Sequence, residues 1–372
     1  MFSGRSVTAS GSSRPVVPVK GWILAPVLDI SGHEDRDDTP SISYFPDGKR
    51  IVSGSRDRTI REWDIEQGRE IKRARDVCER QVYTVRVSRD GRWVVSAGGN
   101  FMISGELKVR EVETGTVRTF EGHRLVLTSI NCIDISGDST LLASGSSDGT
   151  IRIWSLETCN LVAGPFRSLN WVVGAVRFSQ DSKKLTLKSN GGRCLEVWDI
   201  QSQKLLVYRE GYWEPGDVPA FWTTKDTDIV TAFSFEVGAQ IKTIYAFDAS
   251  TLETTGAPFA GHTKIITSIA LSLDCALLAS AARDNTINFW AFESRQLLAS
   301  FDSGSTICQL ILSPNLCQLV CTTENDNSIY LYDTPPEILA CIQPVPQDRT
   351  ISSRSLFLTD VLIPPFSFIP LH

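Results

Sequence analysis

Residues 141–154 read LLASGSSDGTIRIW. An alternating apolar run ends in Ser-Gly-Ser, a turn follows on Ser147-Asp148-Gly149, and a second apolar run closes on Trp154. Short period-two runs broken by Asp and Gly are the strands of a hairpin, because Gly tolerates positive φ and Asp caps the local backbone. The same hairpin stands at 50–64, RIVSGSRDRTIREWD, and at 277–291, LLASAARDNTINFWA. Fainter copies close on Trp198-Asp199 in CLEVWD, Phe247-Asp248 in TIYAFD and Tyr332-Asp333 in SIYLYD. One member is missing between Trp63 and Trp154. Arg110-Glu111 in LKVREV fills the gap, since the ETG turn after it matches the EQG turn after Trp63.

The anchors at 63, 110, 154, 198, 247, 290 and 332 are separated by 47, 44, 44, 49, 43 and 42 residues. Self-similarity at a fixed period marks a repeat architecture. Each unit opens with an apolar alternating strand, such as SISYF at 41–45 or SIALS at 268–272. It ends with a more polar fourth strand, such as REIKRAR at 69–75. Four short antiparallel strands make one twisted sheet with two apolar faces, which does not stand alone. Stacked radially, such sheets bury their faces against their neighbours. The expectation is an all-β fold, a seven-bladed β-propeller of four-stranded antiparallel blades over residues 21–343. A polar N-terminal tail (1–20) and a C-terminal tail with no repeat slot (344–372) flank it.

This pattern resembles the WD40-repeat family, whose signature is a Gly-His pair followed by four strands ending in Trp-Asp. It is most similar to the large WD40 families of filamentous fungi. Units 1, 3 and 6 match the signature closely. Units 2, 4, 5 and 7 lack the Gly-His, and unit 2 also lacks the Trp. The resemblance implies a network of His, turn Asp, Ser and Trp in each closely matching unit. The matching sets are His33, Asp57, Ser53 and Trp63; His123, Asp148, Ser144 and Trp154; and His262, Asp284, Ser280 and Trp290. A buried imidazole, carboxylate, hydroxyl and indole N–H each need a partner, and a closed network satisfies all four.

A Ser-His-Asp collection also invites a hydrolase reading. Here the spacing recurs three times in different surroundings, which architecture needs and catalysis does not. The fourth and last histidine is His372, the final residue. No histidine is left for acid–base work or a His-based metal site. Gly145-Ser146-Ser147-Asp148-Gly149 spells the nucleophile-elbow string, but an elbow needs a strand, a sharp turn and a helix, and this string lies within a hairpin. Glu324 and Asp326 lack the ligand spacing of a calcium loop, and Asp326 precedes Tyr332 as Asp57 precedes Trp63. No catalytic residue, metal or cofactor is expected.

Bulk properties bound the partners. The 372-residue chain carries a net charge of −6, which disfavours nucleic acid and anionic membranes, whose binding rests on clustered Lys and Arg. The densest basic run, Lys72, Arg73 and Arg75, reads as a solvated strand edge. Nine scattered cysteines without a CxxC pair fit a reducing compartment. The N-terminal stretch has no apolar segment of the signal-peptide kind. The apolar stretch 356–371 is too short to span a bilayer and is broken by Asp360, Pro364, Pro365 and Pro370. The expected location is intracellular and cytoplasmic, with the nucleus not excluded.

The resemblance further implies that partners bind the face carrying the Asp turns and the loops that lead into each innermost strand. Residues before the turn Asp are Arg56, Ser147, Arg283 and Asn325. First-strand positions include Gln81, Tyr83, Val172, Gly174, Ile265, Thr267, Thr306 and Cys308, and the loops of units 4 and 5 add Trp171, Tyr212 and Trp213. Tyr, Trp and Arg dominate binding hot spots, so Arg56, Gln81, Tyr83, Trp171, Tyr212, Trp213 and Arg283 form the candidate site for a protein or peptide partner. The alternative for Tyr83 and Trp171 is that they fill blade interfaces; for the arginines, that they answer nearby acids. Two other function classes stay open: an enzyme using channel-facing Asp, Glu or Tyr, and a nucleic-acid binder.

The ring must also close, or two sheet edges stay unpaired. Residues 22–30, WILAPVLDI, precede Gly32-His33 and so occupy the place of the seventh blade's outer strand. Residues 337–342, EILACI, are the rival. The N-terminal segment is favoured because it places His33 correctly, and Pro26 suits an outer edge where a missing N–H costs little.

Overall fold

Each hairpin read from the sequence folds as two neighbouring strands, and each period of about 44 residues folds as one sheet. The computed structural model describes residues 19–33, 41–74, 78–100, 103–123, 128–169, 172–189, 193–212, 218–236, 239–324 and 328–342. The expected tail 344–372, and all but the last two residues of the tail 1–20, lie outside these.

Two N-terminal strands come first, β1 (Val19–Ile23) and β2 (Leu28–Ile30). Blade 1 is β3 (Ser41–Tyr44), β4 (Arg50–Gly54), β5 (Ile60–Asp64) and β6 (Arg69–Ala74). Blade 2 is β7 (Gln81–Val87), β8 (Trp93–Asn100), β9 (Ile103–Glu111) and β10 (Val117–Thr119). Blade 3 is β11 (Ile130–Ile135), β12 (Leu141–Ser146), β13 (Thr150–Ser155) and β14 (Leu161–Arg167). Blade 4 is β15 (Val173–Phe178), β16 (Lys184–Ser189), β17 (Cys194–Asp199) and β18 (Lys204–Glu210). Blade 5 is β19 (Phe221–Trp222), β20 (Asp228–Ala232), β21 (Thr243–Asp248) and β22 (Thr254–Ala260). Blade 6 is β23 (Ile266–Leu271), β24 (Leu277–Ala282), β25 (Thr286–Ala291) and β26 (Gln296–Asp302). Blade 7 takes β27 (Ile307–Leu312), β28 (Gln318–Thr323) and β29 (Ile329–Asp333), and helix α1 (Pro336–Ile342) follows. The fold is a seven-bladed β-propeller.

The core is divided into interfaces between blades. Each of seven apolar clusters draws on two adjacent sheets, from the blade 1–2 cluster around Phe45, Val82 and Val85 to the blade 7–1 cluster around Ile42, Trp63 and Val320. Inner strands of neighbouring blades are bridged by side chains instead of a backbone ladder. Ser41 and Ser43 accept the N–H groups of Val85 and Val87, Asp134 accepts that of Phe178, and Ser268 accepts that of Leu310. The Gln309 side chain accepts the Ile42 N–H at 2.8 Å and so joins blade 7 to blade 1.

The ring closes through the N-terminus, over a shorter span than the sequence suggested. Residues 22–30 do not form one outer strand. They break at Pro26: β2 pairs antiparallel with β29, Leu28 opposite Leu331 and Ile30 opposite Ile329, and completes blade 7. The preceding β1 adds to blade 6 as a fifth, parallel strand beside β26. The rival segment 337–342 is helical, and Ile338 of α1 packs into the blade 6–7 core.

Three polar networks tie the Asp turns to the loops that lead into blades 1, 3 and 6. In blade 1 the Trp63 indole N–H donates to Ser53 Oγ at 2.8 Å. Ser53 Oγ meets His33 Nε2 at 2.8 Å, and His33 Nδ1 lies 2.9 Å from Asp57 and 3.0 Å from Thr59 Oγ1. Blade 6 repeats it with Trp290, Ser280, His262, Asp284 and Thr286. Blade 3 departs from it. Arg152 Nη1 reaches His123 Nδ1 at 2.6 Å, while Asp148 is 3.4 Å away. That guanidinium donates, so Nδ1 accepts, and Nε2–H donates to Ser144 Oγ at 2.9 Å. The glycine before each histidine is required by packing. A Cβ on Gly32, Gly122 or Gly261 would stand 2.8, 2.4 or 2.8 Å from the indole edge of Trp63, Trp154 or Trp290.

Other blades fill the same slots differently. The Trp198 indole donates to buried Glu196 at 2.8 Å, whose other oxygen accepts the Ser168 hydroxyl and the Leu169 N–H. Arg110, in the tryptophan position of blade 2, pairs with Glu62 of blade 1 at 3.2 Å. Buried Lys188 of blade 4 donates to Ala232 O, Val218 O and Thr231 Oγ1 of blade 5. Blade 5 packs Phe233, Phe235, Tyr245 and Phe247 edge to face.

Closure through β2 makes Ile30, 4% exposed, a core residue. Ile30→Ala is expected to lower stability by about 2–4 kcal/mol, read by urea unfolding; a loss under about 0.5 kcal/mol would mean that the ring holds without β2. His33→Ala is expected to cost about 1–3 kcal/mol because Asp57 and Ser53 lose their central partner. His123→Ala should cost less, since Arg152 and Thr150 still face Asp148.

The pH dependence has two windows. Burial alone would raise Asp57, Asp148 and Asp284, but hydrogen bonds outweigh it, from His33 and Thr59, from Thr150, and from His262 and Thr286, and hold all three far below the usual carboxylate range. Their contribution is present at neutral pH and is lost as pH falls below about 4. Burial, helped by the Arg152 charge, lowers His123 against the opposing pull of Asp148. A lowered imidazole favours the neutral form, so its contribution is lost as pH falls below about 6.5. Unfolding between pH 8 and 5 should show this upper step, and His123→Gln should flatten it.

Candidate functional site

Blade geometry decides which residues meet. The first residue of an inner strand pairs with the last residue of the second strand, as Ser41 does with Gly54. Every Asp turn therefore opens at the mouth where the inner strands begin. At that mouth the turn of blade 1 meets the inner strand of blade 2. The Arg56 guanidinium lies over the Tyr83 ring, 5.5 Å from its centre, and the Tyr83 hydroxyl donates to Gln81 Oε1 at 2.9 Å. Arg56 is exposed, while Gln81 and Tyr83 are half-buried. A ring held on both sides in this way presents a fixed aromatic and cationic surface, at little ordering cost on binding.

The other candidates are placed apart from this trio. Arg283 is exposed on the turn of blade 6, with Glu324 of blade 7 at 3.6 Å. Two groups half in solvent at that distance form a weak pair, so the cation stays presented. Tyr212, on the loop leading into blade 5, is 43% exposed. Trp171, Trp213 and Asn325 lie outside the described residues. Ser147 is engaged with the Ser129 backbone N–H. The three Ser-His-Asp sets offer no nucleophile. Ser53, Ser144 and Ser280 are fully buried, and each hydroxyl oxygen already accepts an indole N–H.

A central channel of about 890 Å³ runs between the inner strands. Each inner strand presents one lining residue two positions before the residue whose N–H closes the hairpin to its second strand. Those residues are Ser43, Arg86, Asp134 and Arg177 on blades 1–4, and Phe221, Ala270 and Ile311 on blades 5–7. The apolar alternation of the first strands holds at this level for only three of the seven. Asp134 is the acid here, and both its oxygens are engaged: one with Arg177 Nη1 at 3.0 Å, the other with the Phe178 N–H at 2.9 Å. Arg177 also covers the Phe221 ring. Among the described residues Arg86 donates only to the carbonyl of its neighbour Val85, at 3.1 Å. Burial and the like charge of Arg177 push it down to about 9 against the pull of Asp134, so it stays charged at neutral pH. The signal for this polar half-ring was present in the sequence, at a fixed offset before Ser88, Ser136 and Ser179, but it needed the blade register to be seen.

Among the described residues no group of three or more His, Cys, Asp or Glu is placed to hold a metal ion, and no helix is long and apolar enough to cross a membrane. No disulfide joins any of the nine cysteines among the described residues.

The chain matches the model of the family described as WD domain, G-beta repeat, over residues 24–64, 115–155 and 253–291. These stretches end on the third strands of blades 1, 3 and 6, the three that hold a His-Asp-Ser-Trp network. Apoptotic protease-activating factor 1 of Rattus norvegicus is 22% identical over 341 residues, which cover 91% of this chain and 25% of that protein. Cell division cycle 20.1, cofactor of APC complex, of Arabidopsis thaliana is 22% identical over 69% of this chain and 55% of its own length. Target of rapamycin complex subunit wat1 of Schizosaccharomyces pombe is 24% identical over 69% of this chain and 79% of its own. The chain thus spans a quarter and about half of the first two relatives. With its seven four-stranded blades, its three indole-anchored networks and these matches, the chain is a WD40-repeat protein.

Proposed function

We propose that this propeller is a non-catalytic platform that binds a protein or peptide partner on the face of its Asp turns. The observation that carries the reading is the Arg56–Tyr83–Gln81 trio, an exposed cation over a braced aromatic ring at the mouth of the channel. Arg283 and Tyr212 extend that face around the ring, and Trp171 and Trp213 belong to the same proposal. Relatives named as a cofactor of one complex and a subunit of another support a role in assemblies. The absence of catalysis is supported by the networks, which consume the serines and histidines, and by a channel acid whose two oxygens are both engaged. A net charge of −6 speaks for a protein partner over nucleic acid. The nine scattered cysteines, without a CxxC pair, suit an intracellular location.

The test compares the wild-type chain with Arg56→Glu/Arg283→Glu, and with Arg89→Glu at the opposite mouth, in affinity capture followed by mass spectrometry. A partner held by wild type and by Arg89→Glu but lost from the double variant, with an unchanged melting temperature, is the expected result. Equal capture by all three removes the face from the proposal.

A further inference from the structure

The channel carries one more cation than anion at one level, where Asp134 attracts Arg86 through its charge but gives its hydrogen bonds to others. At the level of Arg86 the wall holds two guanidinium groups and one carboxylate, and the Asp134 oxygens are spent on Arg177 and the Phe178 N–H. Arg86 lines the lumen half-buried, and its one hydrogen bond among the described residues, from Nη1 to Val85 O, leaves the rest of its planar donor fork for a ligand. Ser43, on its other flank, is occupied with the Val87 N–H. Across the lumen the wall changes character, to Ala270 and Ile311 on blades 6 and 7. The Tyr44 hydroxyl, on the same cavity wall, is buried without a hydrogen-bond partner among the described residues.

We propose that the channel at this level binds a small organic carboxylate with an apolar body. The carboxylate would take the free donors of Arg86 as a two-pronged, charge-assisted pair, the geometry that a guanidinium favours. The apolar body would lie on Ala270 and Ile311. One excess cation matches one carboxylate, and a cavity lined by a few placed polar groups opposite apolar side chains is the usual build of a small-molecule site. Water alone satisfies the guanidinium but leaves the apolar half of the ring unused. This site lies inside the channel and is independent of the partner-binding face.

Benzoate is the probe, with benzamide as its neutral isostere and acetate as a carboxylate without the apolar body. In the full-length chain, NMR titration is expected to show saturable shifts of the Arg86 Nε–H and Ile311 methyl signals. Benzoate should bind at least about tenfold more tightly than benzamide or acetate. Arg86→Met should lower benzoate affinity by about tenfold or more, with Arg86→Gln as a second variant, and a thermal melt reads whether each is folded. Among the described residues the substitutions remove one hydrogen bond, to the Val85 carbonyl. No saturable shift up to about 20 mM benzoate, equal binding of benzamide, or retention of benzoate by folded Arg86→Met would overturn the proposal. The comparison of benzoate with benzamide on wild type decides it even if both arginine variants fail to fold.

Discussion

The three residue pairs between β2 and β29 are the constraint on which the ring rests. A four-stranded sheet with two apolar faces has no stable state alone, so every blade depends on the next, and the last depends on the first. The chain meets that demand by giving its N-terminus to blade 7. Ile30 packs beside Ile42, Trp63 and Val320, so the strand that completes the last sheet is also part of the blade 7–1 core. Two residues on, Gly32-His33 enters the blade 1 network. One short segment thus seals an edge, fills an interface and anchors the first Asp turn. The β1 strand on blade 6 reinforces the seam from outside, since it joins the neighbouring sheet before the chain crosses to blade 7.

Within that ring, one position serves several chemistries. The third strand of each blade sends a side chain toward the preceding blade, where the environment is dry and any polar atom needs a partner. In blades 1, 3 and 6 an indole fills it and a serine accepts its N–H. In blade 2 Arg110 fills it and draws in Glu62 from the neighbouring sheet. In blade 4 the indole stays, but a buried carboxylate replaces the serine and histidine. In blade 5 Phe247 needs no partner, and Lys188 from blade 4 satisfies the backbone carbonyls nearby. The slot is fixed by the propeller's geometry, and its occupants need only fill it and leave nothing polar unpaired.

This explains what could be read before the structure. The blades that match the signature closely announced themselves because Gly, His, Asp and Trp each answer a separate demand: close approach, network, turn and interface. Blade 2 was found only through its turn, because an arginine in an indole's place has no periodic signal. Of the segment 22–30 only residues 28–30 complete blade 7, while residues 22 and 23 belong to β1 on blade 6. Between the two the chain changes sheets, and no local preference marks a change of partner. At 337–342 the alternation suited a strand as well as a helix, and docking of Ile338 into an existing core decided it. The Arg56–Tyr83–Gln81 trio was legible through the resemblance, which puts the residue before the turn Asp and positions at the start of the first strand on one face.

The channel wall was hidden for the opposite reason. Successive inner-strand residues face different surroundings, so Arg86, Asp134 and Arg177 look like isolated charges in apolar strands until seven strands are set in register. Their common level follows from the closing hydrogen bond of each first hairpin, from Ser88 to Trp93, Ser136 to Leu141 and Ser179 to Lys184. Charge in a narrow lumen is costly unless answered, and here one carboxylate serves two guanidinium groups, hydrogen-bonded to Arg177 and attracting Arg86 through its charge. Blades 1–4 therefore hold a polar arc, and blades 5–7 an apolar one. The two ends of the disc differ as well, with Arg56 over Tyr83 at one mouth and Arg89 bonded to Gln180 at the other. A fold built from seven near-copies acquires direction through those few positions where the copies disagree, and it is there that recognition has room to act.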